Sequence, residues 1–451
     1  MTEKESQKKK KQEFLENSPD WVMDFNSINE VKFCKYFVEK NPMICIGGKL
    51  LSIDGEIDME KLNSDVSREI MQYMTTGISK KVKSITEALK LYCYSEELPL
   101  REDEIHLQNG TLKTEGSFNE EKYFCHNRLN VSYEADPQGA YYPEHFLTFL
   151  YDLLDAEDMD TLQEYLGYCL IPSTKGQKMM FIIGNGGEGK SRIGVVLQEI
   201  FRANMITGSF QRIETDRFFH YNLQNKLLMI DDDMQLSALA STGYIKNLIT
   251  AETPIDVEAK GEQSKPARVY ARFLCFGNGS PKALYDKTDG FARRMIILTT
   301  KSKPSNRVDD PFIAKKFIAE KDKIFRWMFD GLQRLIRNNF HFTISDKTKS
   351  NIAEALSDSC NLIEFLNDDN TVIFGNDYKI TGADLYAVYY RWCGDNALTA
   401  LKRDTFINWL KNNQKKFGIS YDTNIIDERG CRVRGFKGIK ATVKLTANLG
   451  V

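Results

Sequence analysis

The sequence predicts an α/β chain: a parallel-sheet core carrying an anion-binding loop, preceded by a mostly helical α+β region and followed by a small basic domain. Three observations predict it. A glycine-rich loop, Gly184-Asn185-Gly186-Gly187-Glu188-Gly189-Lys190-Ser191, sits between a strand-like and a helix-like run. Two more apolar, β-prone runs follow it, each ending in polar residues. The C-terminal segment then changes character: from Ala397 onward about 11 Lys/Arg stand against 4 Asp/Glu.

The loop fits G-x-x-x-x-G-K-[ST] throughout. Met179–Ile183 before it reads as a buried strand, and Ile193, Val196, Leu197 and Ile200 after it have helical spacing. Glycines let such a loop fold into a nest of N–H groups facing phosphate oxygens. Residues 184–191 are therefore the candidate nucleotide cradle. Lys190 is placed to reach the β- and γ-phosphates, and Ser191 to ligate Mg²⁺.

About forty residues later, Leu227–Ile230 runs into Asp231-Asp232-Asp233. In a P-loop ATPase such a strand lies beside the P-loop strand and delivers carboxylates to the sheet edge. Asp231 is assigned to Mg²⁺ and Asp232 to polarising the attacking water. The next apolar run, Val269–Phe276, ends in Gly277-Asn278-Gly279. Asn278, at the tip of a strand between the other two, is placed to bond the γ-phosphate or the lytic water. Asp289-Gly290-Phe291-Ala292-Arg293-Arg294 then precedes the strand Met295–Leu298. An arginine fork from a neighbouring subunit suits the charge on a transferring phosphoryl, which makes Arg293 and Arg294 finger candidates.

Outside the core, residues 1–12 carry Lys8–Lys11 and nothing apolar after Met1, and are expected to be a disordered basic tail. Residues 13–176 show helical periodicity at 31–37, 66–74 and 85–94, a hairpin turn at Asn109-Gly110, and further helical stretches at 146–154 and 162–170. Pro172 and the polar run after it mark a boundary, so the ATPase core is expected over 177–302. A helical lid or linker follows over 303–350, with a basic domain over 351–451. That last region reads helix (383–394), helix (403–416), hairpin (419–443), which is a winged-helix order. Its basic residues include Arg403 and Lys411 on the second helix, and Arg429, Arg432 and Arg434 on the hairpin.

Composition excludes several classes. The 451 residues hold 61 Lys+Arg against 63 Asp+Glu, a net charge of −2, so no global polyanion partner is implied. The nine cysteines are dispersed, without zinc spacing or a secretory signal, and read as reduced thiols of a cytosolic protein. No apolar run reaches membrane-spanning length.

The order of motifs within 184–294 resembles the superfamily 3 helicases. Ile105–Gly110, Leu162–Tyr168 and Leu385–Cys393 extend the resemblance to the D5 and P4-type phage and plasmid primase-helicases. Glu188 stands where that family commonly has Asn. The resemblance implies an AAA+-like ATPase core, ATP and Mg²⁺ as cofactors, a homohexameric ring, and action in a bacterial host cytoplasm. It also implies that the segment Leu248–Arg268 forms a hairpin gripping single-stranded DNA, with Lys260 as the phosphate contact and Lys265 as support. The C-terminal domain would bind duplex origin DNA. About 175 residues precede the core, without a recognisable nucleotidyl-transfer site, so a separate primase is expected. The leading function is an ATP-driven helicase and replication initiator. The alternatives are an ATPase ring that remodels or loads proteins, and an ATP-switched origin binder without unwinding.

Overall fold

A computed structural model describes residues 3–135, 142–234, 242–261, 263–279, 289–303, 309–357, 361–396, 398, 400–426 and 430–443. The chain divides into two compact units. One comprises Met1–Gln235, Ser241–Asn278 and Arg293–Thr348, the other Leu236–Ala240, Gly279–Ala292 and Lys349–Val451.

The larger unit begins with a helix over Glu3–Glu16, where the sequence predicts a disordered tail. Phe14 stacks on Phe25 with ring centroids 4.2 Å apart, and Lys11 pairs with Asp24. Helices Glu30–Lys40, Met59–Ile70 and Ile78–Tyr92 follow and enclose a separate core around Trp21, Phe33, Val66 and Ile85. The hairpin expected here is present, with antiparallel strands Glu104–Leu107 and Gly110–Lys113 joined by Gln108-Asn109, one residue earlier than the expected Asn109-Gly110 turn.

Next come helices α1 (Glu144–Leu153) and α2 (Met159–Tyr168), strand β1 (Met179–Gly184) and helix α3 (Ser191–Phe201). Strands β2 (Met205–Thr207), β3 (Leu228–Met234), β4 (Arg272–Asn278) and β5 (Met295–Thr299) complete a five-stranded sheet in the order β2-β3-β4-β1-β5. Every pairing in it is parallel. The near-continuous apolar runs have this cause, since a parallel sheet covered on both faces buries every side chain. β4 lies between β3 and β1, so the acidic strand is not the direct neighbour of the loop strand. The Asn278 strand takes that place.

Helices α4 (Ile313–Ala319) and α5 (Lys321–Arg337) close the unit. One hydrophobic core runs through residues 105–171, the sheet and residues 317–335, with no break at the boundaries expected at 176 and 302. Specific bonds tie α2 into it. Tyr165 donates its hydroxyl hydrogen to the carbonyl of Phe273 at 2.5 Å. The fully buried Arg272 donates to the Tyr168 hydroxyl at 3.0 Å. On the other side, Arg334 pairs with Glu164 at 2.6 Å. Gly167 and Gly331 let the α2 and α5 backbones touch: a Cβ on Gly167 would lie 2.3 Å from the Met328 carbonyl oxygen, and one on Gly331 2.4 Å from that of Gln163.

The smaller unit contains strand β6 (Val372–Thr381), helices α6 (Gly382–Asp395) and α7 (Arg403–Asn412), and strands β7 (Ser420–Ile426) and β8 (Arg432–Ala441). The three strands form an antiparallel sheet in the order β6-β8-β7. Leu385, Tyr389, Phe406, Leu410 and Phe436 fill its core. The second expected helix stops at Asn412, and a separate turn spans Gln414–Phe417.

Among the described residues no helix is long and apolar enough to cross a membrane. Seven of the described cysteines are buried, and Cys431 is exposed. Burial pushes Cys34, Cys93 and Cys125 up to about 11, so they are unreactive near neutrality.

Candidate nucleotide site

The loop between β1 and α3 turns on three left-handed glycines. Gly186, Gly187 and Gly189 have φ of 100°, 80° and 99°, a region other residues enter only with strain. Gly184 is needed for a different reason: a Cβ there would sit 2.4 Å from Thr300 Oγ1 and 2.8 Å from Lys190 Nζ.

Inside the loop an anion is already bound, and it belongs to the chain. The Glu188 carboxylate accepts from the Asn185 N–H at 2.6 Å, the Gly186 N–H at 3.1 Å and Lys190 Nζ at 2.9 Å. Both Glu188 and Lys190 are buried, at 3% and 7% exposure. Burial pushes the Glu188 carboxyl up, but the Lys190 ammonium and the loop N–H groups outweigh it and hold it below the ordinary carboxylate value. Lys190 also donates to Asn278 Oδ1 at 3.1 Å. The sequence places both residues at one site, and the bond brings them together.

A cleft of about 800 Å³ opens beside the loop. Lys190, Ser191, Asp232 and Asn278 line one side. Ser191 is exposed at the start of α3, where backbone N–H groups and the helix dipole favour an anion. The volume is that of a small-ligand site.

Of the acids on β3, Asp232 lines the cleft and Asp231 does not. Asp231 is buried and turned away, with Oδ2 accepting from the Phe210 N–H at 2.6 Å. Its Oδ1 accepts from the Asp233 N–H at 3.4 Å. Burial raises its affinity for a proton against those bonds, and the charges of Asp233 and Asp232 add to the rise. The reason is strand geometry: successive side chains alternate, so adjacent acids cannot share a face. The β3–β4 register also shifts between Asp231 and Met234.

Arg293 and Arg294 stand at the other end of the sheet. Their carbonyls accept from Lys178 Nζ at 2.5 Å and the Met179 N–H at 2.8 Å, where β1 begins. A strand of this length spans roughly 20 Å, so neither arginine reaches the Lys190 of its own chain.

Lys260 is exposed in the turn of a short hairpin, Ile255–Val257 against Lys265–Ala267. Lys265 is half-buried, with its ammonium 5.2 Å from the centre of the Tyr221 ring. In the smaller unit Arg403, Arg432 and Arg434 are exposed. Lys411 instead lies 4.0 Å over the Tyr421 ring, which ties α7 to β7. Arg429 lies outside the described residues.

One wall of the cleft escapes sequence reasoning. Glu144, His145, Thr148 and Asp152 on α1 face it, as do Asp309 and Asp310. His145 Nδ1 is 2.7 Å from Glu320 Oε1, and Glu320 Oε2 accepts from the Phe146 N–H at 3.2 Å, which fixes the start of α1. The signal is a polar stripe at 144, 148 and 152, one helical turn apart, on a stretch otherwise conspicuous for its apolar face.

A family of unknown function, DUF5906, matches residues 182–294. No curated protein sequence matches the chain. Among solved structures, the apo C-terminal region of NrS-1 (305-718) covers 91% of this chain and 99% of its own at 14% identity and a TM-score of 0.47. The A form of the same apo region covers 91% and 100% at 14% identity and a TM-score of 0.48.

Proposed function

We propose that this chain is an ATP-driven DNA helicase and replication initiator, with an AAA+-like core of the superfamily 3 type and a C-terminal winged-helix domain. One observation carries the nucleotide reading: the loop nest, Lys190, Asp232 and Asn278 converge at one edge of a parallel sheet. The nest also holds a carboxylate on the donors that a phosphate group would use, so its fit to an anion rests on an occupant and not only on a motif. The sheet order puts the Asn278 strand between the acidic and loop strands, the place its proposed role requires.

Mg²⁺-ATP, when bound, supplies the phosphoryl group and the cation that screens its charge. Lys190 would hold the terminal phosphates, and Asn278 would orient the γ-phosphate or the attacking water. Ser191 and Asp232 are the residues set to hold Mg²⁺, so Asp232 takes over the role the sequence assigned to Asp231. Arg293 and Arg294, out of reach of their own site, would serve the neighbouring site in a homohexamer. Lys260 is the channel contact with single-stranded DNA, where phosphate grip carries no sequence preference. In the smaller unit, strand β6, helices α6 and α7 and the β7–β8 hairpin are compatible with a winged helix, and exposed Arg403, Arg432 and Arg434 would be its duplex contacts. A separate primase would act with it in the cytoplasm of a bacterial host.

The deciding experiment measures ATP turnover with and without forked DNA, alongside strand separation. The proposal expects DNA to raise turnover and the fork to open. Turnover indifferent to DNA would favour a protein-remodelling ring. Nucleotide binding without turnover would favour an assembly switch.

A further inference from the structure

We propose that Glu188 is an internal occupant of the phosphate nest, which a nucleotide must expel in order to bind. This rests on the nucleotide reading above and adds a regulatory element to it. The Asn185 and Gly186 N–H groups and the Lys190 ammonium all serve the Glu188 carboxylate. They are among the donors a bound phosphate needs. One nest cannot serve two anions, so binding is an exchange and not a simple addition.

The loop is built to let the occupant leave. Glu188 lies between Gly187 and Gly189, both in the left-handed region, so the peptides on either side turn at low steric cost. The space around them is open: a Cβ on Gly187 would meet nothing within 4 Å, and one on Gly186 only Asn278 Oδ1 at 3.8 Å. Charge-assisted hydrogen bonds to a buried carboxylate are strong, so the closed loop is the dominant state without ligand. The apparent affinity of a ligand falls by the fraction of molecules whose nest is open.

A purely structural role for Glu188 predicts the opposite effect of mutation, because removing a brace from the loop would weaken binding. The test is calorimetric titration of the full chain with magnesium ADP, magnesium pyrophosphate and adenosine. Wild type is compared with Glu188→Gln and Glu188→Asn, with circular dichroism to verify the fold. Both variants keep hydrogen-bonding capacity and lose the charge. We expect ADP and pyrophosphate to bind about tenfold or more tighter to the variants, and adenosine to bind equally to all three proteins. Equal or weaker binding of the two phosphate ligands to folded variants overturns the proposal. Failure of folded wild type and variants alike to bind any phosphate ligand overturns the nucleotide site itself.

Discussion

Lys190 and Asn278, 88 positions apart, meet at 3.1 Å, so the loop that follows β1 and the tip of β4 act as one group. The bond places the ammonium where β1 and β4 end side by side, in the wall of the cleft.

Lys190→Ala should reduce ATP hydrolysis by about a hundredfold or more and abolish unwinding, since it removes the preorganised cation at the transferring phosphate. Thermal melting should fall, because the buried Glu188 carboxylate loses its ammonium partner, so turnover is read at a temperature where the variant stays folded. Near-normal turnover in pure, folded protein would sink the site assignment.

The two adjacent acids should separate. Asp232→Asn should stop hydrolysis, by about a hundredfold, without changing the melting temperature. Asp231→Ala should cost about 1–3 kcal/mol of stability, because the buried Phe210 N–H loses its acceptor. Denaturant melts and phosphate-release assays on both proteins check this, and the reverse pattern would restore Asp231 as the metal ligand.

Arginine variants should complement in trans. Arg293→Ala or Arg294→Ala mixed with Lys190→Ala should recover part of the ATPase activity, since a mixed interface can pair an intact loop with an intact arginine. If each arginine variant alone hydrolyses normally and neither mixture recovers activity, the finger lies elsewhere.

Motor and address should separate as well. Lys260→Ala should uncouple hydrolysis from unwinding and weaken single-strand binding for every sequence alike. Arg432→Ala with Arg434→Ala should weaken origin duplex binding and spare unwinding of a generic fork. Binding must be compared at fixed salt, because phosphate contacts make affinity salt-dependent. Equal loss on origin and scrambled duplexes would remove the smaller unit as the specific reader.

His106 should contribute acid sensitivity. Burial, with the Arg128 charge second, lowers it from 6.5 to about 4, although Glu104 pulls the other way. A group depressed in the folded state adds stability above its unfolded value and loses it as the pH falls toward the folded one. Acidification from pH 7 to pH 5 should therefore remove about 1–2 kcal/mol through this residue. His106→Gln should lose correspondingly less in denaturant melts at the two pH values. Identical losses would show that His106 does not titrate as described.

The loop and the Asn278 strand are legible in the sequence because their geometry is local: glycines dictate the turn, and apolar runs dictate buried strands. What escapes depends on direction or on distance. Glu188 occupies an ordinary position in the motif, and only the folded loop turns its carboxylate inward toward Lys190. Asp231 and Asp232 differ by one step of strand alternation, which composition does not reveal. β6 escapes because Gly375-Asn376-Asp377 interrupt its pattern; they lie in an irregularity where the pairing with β8 shifts register between Phe374 and Lys379. The boundaries at 176 and 302 follow from polar punctuation in the chain, whereas the core is continuous across them.

The crossing of Gly167 and Gly331 sets what kind of machine this unit can be. Backbones in direct contact have no side-chain layer to shear, so α2 and α5 cannot slide past one another. Tyr165 and Arg272 pin the same pair to β4, whose far tip carries Asn278. The strand that presents Asn278 to the cleft is thus anchored in the same braced pair of helices.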